Sequence, residues 1–575
     1  MLSYYDPVFN TPRHFSANAC LTPLCALDGY HVTTVEGISG AGAGSLHPVQ
    51  QRIAELHGSQ CGFCTPGIVM SLYTILRSKP NSTPHEIEES LDGNLCRCTG
   101  YRPIIDAARS LSNNKSVSST ATAGSGCCKG KGGEGGCPCK DNVDLLVTSN
   151  SEDTVLAYKG LTESMVSQGQ SEPIFPPALT HYTPLPFQVK SNNITWFQPT
   201  TLDALLQYKQ EHPEAKIVVG NTEVGIEVKF KAMEYMYFTN PNQIAELKVL
   251  ELEPQGLVVG SAVTLQTMRD FIEDLEGKVG DVSSTTLPVT SQQIRGLVAM
   301  KHMLTWFAST QIRNVASLGG NIATASPISD MNPMLCACGA ILRLISSTGG
   351  VREVPISEFF LAYRRVDMQP TEILQNIFIP YTSTFEYVIP LKQAKRREDD
   401  ISIVTSGMRV KLEPALDASG WVIAHCSLAF GGMAPTTIMA KKTNAFLTGK
   451  PWSAETLTAG CAELQLELVL PDAVPGGQPQ YRQALCGSFL WRTFLKISLD
   501  LRAQLNALVG TSNSYPPAPV IAPEEESAAE GFITLPKAES RGEQSYFDRQ
   551  GCVGFLPILL YLLPTFTSFV SIVKD

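Results

Sequence analysis

Two pairs of closely spaced cysteines constrain this chain more than any other feature of its sequence. They occur in QCGFCTPG at residues 60–67 and in NLCRCTGYRP at residues 94–103. The four cysteines are Cys61, Cys64, Cys96 and Cys98. Both pairs stand beside glycine and proline turns, which can expose backbone N–H groups to sulfur. Two pairs of thiolates that converge on one point can hold an iron-sulfur cluster or a zinc ion, and the spacing alone does not choose between them.

Short helices are predicted around these cysteines, because helix start and stop signals recur at close intervals in residues 46–112. Pro48 stands at a helix start and Gly58 at the end of the run HPVQQRIAELHG. The sequence Thr83-Pro84-His85-Glu86 is a capping box with proline at the first helical position. Pro66 and Pro103 each open a further apolar run, so the segment predicts four small helices.

Composition and charge exclude several classes of protein. The 575 residues suffice for about four units at ~150 residues each. With 43% hydrophobic and 17% charged residues, the bulk of the chain is neither disordered nor a many-spanning membrane protein. A net charge of −10 does not attract a polyanion, so nucleic acid is not an expected partner. Sixteen cysteines are too dilute for a disulfide scaffold, which indicates a reducing compartment.

The middle of the chain divides into a linker and two mixed units. Residues 113–141 are rich in Gly, Ser and Lys and predict a flexible linker that continues to about residue 172. This linker carries Cys127, Cys128, Cys137 and Cys139. They suggest zinc, but the interpretation without metal is favoured because no aliphatic residues support the sulfurs. From about Val189, strand and helix signals alternate in an α+β pattern, and a further such unit extends from about Glu386 to Ala507.

An apolar segment near the end differs from the rest of the chain. Residues 551–573 contain no charge and reach the ~20-residue length of a transmembrane helix, although Pro557 and Pro564 weaken a helix there. Three interpretations stay open: a tail anchor, an element buried elsewhere in the fold, and a C-terminus that is not native to the fold. Association with a membrane is expected only under the first.

Two glycine loops are candidate ligand sites. In KIVVGNTEVGIE, residues 216–227, a β-branched strand leads into a Gly-Asn-Thr turn whose N–H groups could cradle a phosphate. The loop SLGGN at residues 317–321 has the same chemistry, and two such loops suit the pyrophosphate of a dinucleotide. No GxGxxG follows a strand, so a Rossmann site is not indicated.

The cysteine motifs resemble a known family. QCGFCTPGIVMSLYTIL and GNLCRCTGYRPI look like the α-helical 2Fe-2S domain of the molybdenum hydroxylases, the xanthine dehydrogenase and aldehyde oxidase family. The resemblance implies iron rather than zinc at the four cysteines. Upstream, Cys20 matches the last ligand of the family's plant-type cluster, but the C-x4-C-x2-C loop that supplies its other ligands does not precede it. We therefore expect one 2Fe-2S cluster, with Cys20 as an ordinary cysteine.

The glycine loops extend the resemblance to the family's FAD domain, through IVVGNTEVGIE, WFAST, VASLGGNIATASPISDMNP and KQAKRREDDI. Carried over position by position, the FAD contacts fall on Ile217, Val218, Val219, Gly220, Asn221, Thr222, Glu223, Val224, Phe307, Ser317, Leu318, Gly319, Gly320, Asn321, Asp330, Leu374 and Lys392. Each of these residues could instead have a purely structural role, such as a core position for Phe307 or a turn cap for Asp330.

The charged run Lys395–Asp400 alone would be read as a solvated loop. In the family a similar loop lies over the flavin and influences its electrostatics and access by NAD. This run favours the xanthine dehydrogenases over the aldehyde oxidases.

The resemblance covers roughly residues 14–112 and 172–510 and implies an α+β multidomain fold. The expected parts are a ferredoxin-like remnant (1–40), a four-helix 2Fe-2S-binding domain (41–112), a flexible linker (113–188), a PCMH-type FAD-binding domain (189–384), a CO-dehydrogenase-flavoprotein-like C-terminal domain (385–510), and a linker with an apolar tail (511–575). No molybdopterin-binding portion is recognised, so the chain reads as a truncated member of the family or an incomplete gene model.

The expected function is that of an oxidoreductase fragment of purine catabolism, which carries electrons between the cluster, FAD and NAD(H) as the co-substrate. Purine hydroxylation is not expected, and no catalytic side chain is assigned. The alternatives are an inactive remnant or scaffold that binds flavin and iron-sulfur, and a tail-anchored flavoprotein. The resemblance further implies a homodimer and a cytoplasmic or peroxisomal location.

Overall fold

A computed structural model describes residues 1–7, 9–38, 46–112, 173–280, 288–396, 399–417, 419–508 and 515–521. Contacts divide the chain into two compact units. The first comprises Met1–Pro184 with Ser309–Asn314, and the second comprises Leu185–Ala308 with Val315–Asp575. The cysteine-rich part of the predicted linker and the apolar tail at residues 551–573 lie outside the described residues. Within the described ranges, no helix combines the length and apolarity needed to cross a bilayer.

The first unit begins with a small antiparallel sheet. Its strands are β1 (Leu2–Asp6), β2 (Thr11–Phe15) and β3 (His31–Val32), with β1 in the centre. Short 3-10 helices follow at Leu24–Leu27 and Val35–Ile38. Residues 173–184, which the sequence assigned to the linker, belong to this unit and contain a 3-10 helix at Pro177–His181.

Four helices follow in residues 46–112 of the first unit, as the sequence predicted. They are α1 (Pro48–Glu55), α2 (Thr65–Ser78), α3 (Pro84–Glu89) and α4 (Arg102–Arg109). The predicted capping box is confirmed: the Thr83 hydroxyl accepts from the Glu86 N–H, and the Glu86 carboxylate accepts from the Thr83 N–H at 2.7 Å. Ile53, Leu72, Ile87 and Ile104 share one core, so each helix contributes a buried side chain.

A segment distant in sequence completes this unit. Ser309–Asn314 contains the short helix α9 (Thr310–Arg313). Arg313 forms an ion pair with Asp92 at 2.9 Å, and the two side chains are only 2% and 7% exposed. The Thr310 N–H also donates to Asp92, at 2.9 Å. A Cβ at Gly93 would lie 2.3 Å from the Cβ of Ser309, so this close approach requires glycine.

Replacement of Arg313 by methionine is expected to destabilise the first unit by about 3–5 kcal/mol, because it leaves the Asp92 carboxylate buried without its cation. Pulse proteolysis in urea measures this change in the free energy of unfolding, and mass spectrometry identifies the cleavages within residues 1–112. Arg102→Met is the matched control, since that arginine is 79% exposed beside Asp106 and should contribute less than about 1 kcal/mol. The double variant Asp92→Asn/Arg313→Met should recover part of the loss. Equal effects of Arg313→Met and Arg102→Met would contradict the prediction.

The second unit opens with a mixed sheet in the order β4-β5-β7-β6. Its strands are β4 (Phe187–Ser191), β5 (Ile194–Gln198), β6 (Lys216–Ile217) and β7 (Tyr237–Thr239). Helix α5 (Leu202–Glu211) follows β5, and α6 (Val224–Phe230) follows β6. The strand predicted from AKIVVGN is thus only two residues long, although the Val218 N–H still donates to the Thr239 carbonyl at 2.8 Å.

An antiparallel sheet in the order β11-β10-β14-β9-β8 comes next. Its strands are β8 (Leu250–Glu253), β9 (Gly256–Gly260), β10 (Ile341–Ser346), β11 (Gly350–Pro355) and β14 (Ile373–Pro380). Between β9 and β10 lie α7 (Leu265–Gly280), α8 (Arg295–Thr305), α10 (Leu318–Thr324) and α11 (Met331–Cys338). Helix α12 (Ile356–Phe359) leads into the hairpin β12 (Phe360–Ala362) and β13 (Arg365–Val366).

The chain continues into a third antiparallel sheet, β15-β16-β17-β18, and three helices. The strands are β15 (Glu386–Ala394), β16 (Ser402–Pro414), β17 (Trp421–Gly431) and β18 (Ile438–Met439). The helices are α13 (Lys441–Leu447), α14 (Ala454–Glu467) and α15 (Pro479–Ala507). Met408, Leu428, Leu457 and Phe489 belong to the core that joins these strands and helices. The predicted α+β character is therefore confirmed in the second unit.

Candidate cofactor sites

The four cysteines of the predicted cluster site occupy two turns of the first unit. Cys61 and Cys64 precede α2, with Cys64 at its N-cap and Gly62 at φ +80° between them. Cys96 and Cys98 lie in the turn between α3 and α4. Gly100 and Tyr101 end this turn with φ values of +68° and +70°. Left-handed residues are what allow each turn to reverse within so few residues.

The sulfurs pair across the two turns rather than within them. The Cys98 thiol donates to the Cys61 sulfur at 3.4 Å. The Cys64 thiol donates to the Cys96 sulfur. Among the described residues, no set of three or more His, Cys, Asp or Glu side chains surrounds one point where a single metal ion could sit. Two neighbouring pairs suit the two irons of a 2Fe-2S cluster, each iron with two cysteines, better than they suit one zinc ion with four.

In each pair the acceptor sulfur has a lowered pKa. A hydrogen bond from the Phe63 N–H, together with the one from Cys98, lowers the pKa of Cys61. Burial opposes ionisation of Cys96, but the hydroxyl and N–H of Thr99, at 3.1 and 3.4 Å, outweigh it and lower its pKa to about 7. Such N–H donors are the ones that the glycine turns were predicted to expose.

The donor thiols behave in the opposite way. Burial, followed by the hydrogen bond to Cys96, raises the pKa of Cys64 to about 11. The hydrogen bond to Cys61 raises the pKa of Cys98. Because cysteine binds iron as thiolate, loading of this site must release the protons of Cys64 and Cys98.

Access to the cysteine site is open in this unit. Cys61 and Cys98 are exposed, and their neighbours Phe63 and Leu95 are 96% and 58% exposed. Cys20 is also an exposed thiol, in the turn after β2.

The two glycine loops of the second unit lie against each other. A Cβ at Gly220 would come within 2.1 Å of the Val315 carbonyl oxygen, so the first loop packs directly on the segment that leads into Ser317. Asn221 follows with φ +59° and turns the chain toward α6. Gly220 therefore lets the two loops approach each other, and its contact with a ligand stays a prediction.

The second loop uses most of its N–H groups within the fold. The Leu318 and Gly319 N–H groups donate to the Val263 and Ser261 carbonyls, both at 3.1 Å. The Gly320 N–H donates to the Ser317 hydroxyl at 3.0 Å. The acceptor here is a side-chain oxygen rather than a backbone carbonyl, and Gly320 is exposed. Among these three N–H groups, that of Gly320 is therefore the one that a phosphate could most easily take over.

Asp330 joins the remaining polar residues of the predicted flavin site. Its carboxylate accepts from the Lys392 ammonium at 2.6 Å and from the Ser402 hydroxyl. Lys392 also donates to the Trp306 carbonyl at 2.7 Å. Burial raises the pKa of Asp330, and its interaction with Lys392 opposes that shift. Neither Ser402 nor Trp306 is predicted from the sequence, although Trp306 lies in the WFAST motif beside Phe307.

These contacts connect the second loop with Asp330. The Ser329 hydroxyl donates to the Asn321 side chain at 2.9 Å, which joins the loop to the residue before Asp330. Phe307 is half-buried next to Trp306. Leu374 is 6% exposed on β14, against which α10 packs. The structure therefore brings the predicted residues into one connected region, with Leu374 in its core.

Arg364 contacts the C-terminal end of the first loop and is not predicted from the sequence. Its guanidinium forms ion pairs with Glu223 and, at 3.0 Å, with Glu227 of α6. Lys231 adds a second ion pair to Glu223, at 3.4 Å. Arg364 itself has φ +54° in the β12–β13 hairpin. An arginine in such a hairpin carries no sequence signal for this contact.

The charged run between β15 and β16 is partly described. The Arg396 guanidinium lies 3.7 Å from the Asp400 carboxylate, and the Arg396 backbone N–H donates to that carboxylate at 2.7 Å. Arg397 and Glu398 fall outside the described residues. Lys392 precedes this run and Ser402 follows it, and both side chains donate hydrogen bonds to the Asp330 carboxylate. Asp330 therefore joins the two ends of the run.

Three family models match this chain. Residues 34–109 match a [2Fe-2S] binding domain, residues 189–382 match the FAD binding domain in molybdopterin dehydrogenase, and residues 390–497 match the CO dehydrogenase flavoprotein C-terminal domain. Binding domains for 2Fe-2S and FAD are therefore present. The first model covers all four cysteines, and the second covers every predicted FAD contact except Lys392.

Curated relatives match over most of the chain. Xanthine dehydrogenase of Dictyostelium discoideum is 40% identical over 557 residues, which is 93% of this chain and 38% of that protein. Xanthine dehydrogenase/oxidase of Mus musculus is 43% identical over 521 residues, or 89% of this chain and 36% of that protein. The chain thus spans less than two fifths of the length of these relatives.

Solved structures add a weaker similarity. Quinoline 2-oxidoreductase from Pseudomonas putida 86 aligns at 20% identity with a TM-score of 0.44, over 54% of this chain and 98% of that chain. The family is identified by the family models and by the relatives at about 40% identity. This chain therefore belongs to the xanthine dehydrogenase family of molybdenum hydroxylases and contains 2Fe-2S-binding, FAD-binding and flavoprotein C-terminal domains.

Proposed function

We propose that this chain carries electrons between one 2Fe-2S cluster and one FAD, with NAD(H) as its exchangeable partner. The observation that carries the proposal is the pairing of the four sulfurs across two turns, Cys61 with Cys98 and Cys64 with Cys96. Each pair would hold one iron. The proposal assigns no iron to Cys20.

FAD would bind along the connected region of the second unit. The Gly320 N–H would serve the pyrophosphate, and the first loop, held by Arg364 through Glu223, would line the same site. FAD accepts hydride from nicotinamide and passes single electrons onward when it is bound. Lys392, fixed by Asp330 and the Trp306 carbonyl, would supply a positive charge beside it.

The involvement of NAD and of purine catabolism rests on the relatives, whose names describe them as xanthine dehydrogenases. The residues assigned to a role in this chain serve only the cluster and the flavin. We therefore propose NADH oxidation by the flavin as the reaction of this chain, with purine hydroxylation outside its reach. A homodimer and a cytoplasmic location belong to the same proposal.

Anaerobically purified chain is expected to contain about two irons and one FAD and to reduce an artificial dye with NADH. Metal analysis, flavin absorbance and a dye-reduction assay measure these three quantities. Urate formation from xanthine by the same sample would contradict the proposed limit of the reaction. Bound FAD and iron that NADH does not reduce would favour the alternative of an inactive binding protein.

A further inference from the structure

One glutamine of the segment Ser309–Asn314 contacts both elements that carry the cysteines. The Gln311 amide nitrogen donates to the Ser71 hydroxyl at 2.9 Å and to the Asn94 side-chain oxygen at 3.0 Å. Gln311 is only 5% exposed. A buried carboxamide that gives both of its N–H groups to two different elements fixes the distance between them.

Each of its two partners lies close to a cysteine along the chain. Ser71 is in α2, the helix whose N-cap is Cys64. Asn94 precedes Cys96 by two residues, and its amide lies against α2, since a Cβ at Gly67 would come 3.4 Å from the Asn94 nitrogen. Gln311 therefore joins the helix that begins at Cys64 to the turn that contains Cys96, and these two cysteines form one of the sulfur pairs.

The position of Gln311 is itself well determined. Before it, the Thr310 N–H donates to the Asp92 carboxylate at 2.9 Å. After it, the Arg313 guanidinium donates to the same carboxylate, and the Asn314 side-chain amide donates to the Ser16 carbonyl at 2.9 Å. Because the residues on both sides of Gln311 are held by half-buried contacts, its side chain resists a movement of the cysteine turns away from each other.

We propose that Gln311 is a positioning residue for the iron-sulfur cluster, and that Ser309–Asn314 is a supporting element of the cluster site although it lies some two hundred residues later in the chain. The inference rests on the proposed binding of the cluster by Cys61, Cys64, Cys96 and Cys98. Outer partners that orient metal ligands typically change metal affinity by about 10–100-fold when they are removed. Gln311 acts on the ligands through Ser71 and Asn94, not by contact with iron.

The test uses Gln311→Leu in the full chain, since leucine fills a similar volume and donates no hydrogen bond. Iron release to a chelator is expected to accelerate about 10–100-fold. The electron paramagnetic resonance spectrum of the reduced cluster should shift, while FAD occupancy remains that of the wild type. Gln51→Leu is the matched control, because that exposed glutamine of the same unit bonds only its neighbour Glu55 and should leave release and spectrum unchanged.

A second variant separates positioning from a general loss of folding. Ser71→Ala removes one hydroxyl and one of the two bonds of Gln311, so it should shift the spectrum in the same direction by a smaller amount. In the Gln311→Leu background, Ser71→Ala should add nothing, because the bond is already absent. Independent, additive shifts would contradict the proposal.

The outcomes also separate this inference from the proposed function. Wild-type chain without iron would contradict the cluster site itself and, with it, the role of Gln311. Wild-type iron content together with an unchanged spectrum and release rate in Gln311→Leu would contradict the role of Gln311 alone.

Discussion

Replacement of Cys61 by serine is expected to remove the iron-sulfur absorption while FAD remains bound. Cys61 is the acceptor of the exposed sulfur pair, and its loss leaves Cys98 without the thiolate that would share an iron with it. One remaining pair cannot hold both irons of the cluster, so iron content should fall from about two per chain to near zero. The predicted flavin contacts all lie in the second unit, which does not contain Cys61.

Cys20→Ser is the matched control for this experiment. It changes another exposed cysteine of the first unit, and the variant should keep its full iron content. Metal analysis and visible absorption of anaerobic samples give the iron content, and the flavin released on denaturation gives the FAD content. A Cys61→Ser chain with two irons, or a Cys20→Ser chain that lost its iron, would contradict the assignment of the ligands.

Replacement of Gly320 by leucine is expected to give the complementary result, a chain with iron but without flavin. Gly320 is exposed in α10, and a Cβ there meets only the Ser317 hydroxyl, at 3.0 Å. The variant should therefore fold, while the leucine side chain blocks the approach of a pyrophosphate to the backbone. Flavin occupancy should drop at least about tenfold, which corresponds to ~1.4 kcal/mol or more of lost binding free energy.

Gly277→Leu provides the control, because that glycine lies in α7 with nothing within 4 Å of an added Cβ. The Gly277→Leu chain should keep its bound flavin and therefore its yellow colour. Gly220 would be a poorer choice for this test, since a Cβ there meets the Val315 carbonyl oxygen at 2.1 Å and would push the two loops apart. If the Gly320→Leu chain is purified with full flavin content, the second loop does not hold the pyrophosphate.

The parts of the structure that could be predicted from the sequence are those that local signals determine. Helices α1 to α4 follow from capping residues and prolines within one turn of each start, as at Thr83 and Glu86. The cysteine turns follow from Gly62 and Gly100, whose left-handed conformations glycine adopts without strain. Such signals operate over three or four residues, so they survive in any tertiary context.

The contacts that were missed join residues distant in the chain. Arg313, Arg364 and Ser402 are polar residues in unremarkable surroundings, and a sequence pattern would place each of them on a solvated face. Their partners, Asp92, Glu223 and Asp330, lie between 72 and 221 residues away. No periodicity links residues at such separations, because the ion pair or hydrogen bond forms only after the sheets and helices have packed.

Glycine was the residue type whose role was hardest to predict. The sequence offered Gly220, Gly319 and Gly320 alike as places where a phosphate approaches the backbone. In the structure, an added Cβ at Gly220 or Gly319 would clash with Val315 or Ser261, whereas one at Gly320 meets only the Ser317 hydroxyl. Packing alone thus requires the first two glycines, and the contacts of all three with FAD stay predictions. A glycine that accommodates a neighbouring loop and one that accommodates a ligand have the same local sequence signature.

The late position of Ser309–Asn314 has a consequence for biosynthesis. Translation reaches this segment roughly 200 residues after Ser112, which takes a ribosome about 10–40 s at 5–20 residues per second. During that interval the emerging chain already displays all four cysteines, but Asp92 has no Arg313 and the turn at Cys96 has no Gln311. A nascent chain in this state exposes thiols to oxidants before its metal site is complete. Cellular iron-sulfur assembly would therefore find a finished site only on chains that have been translated beyond residue 314.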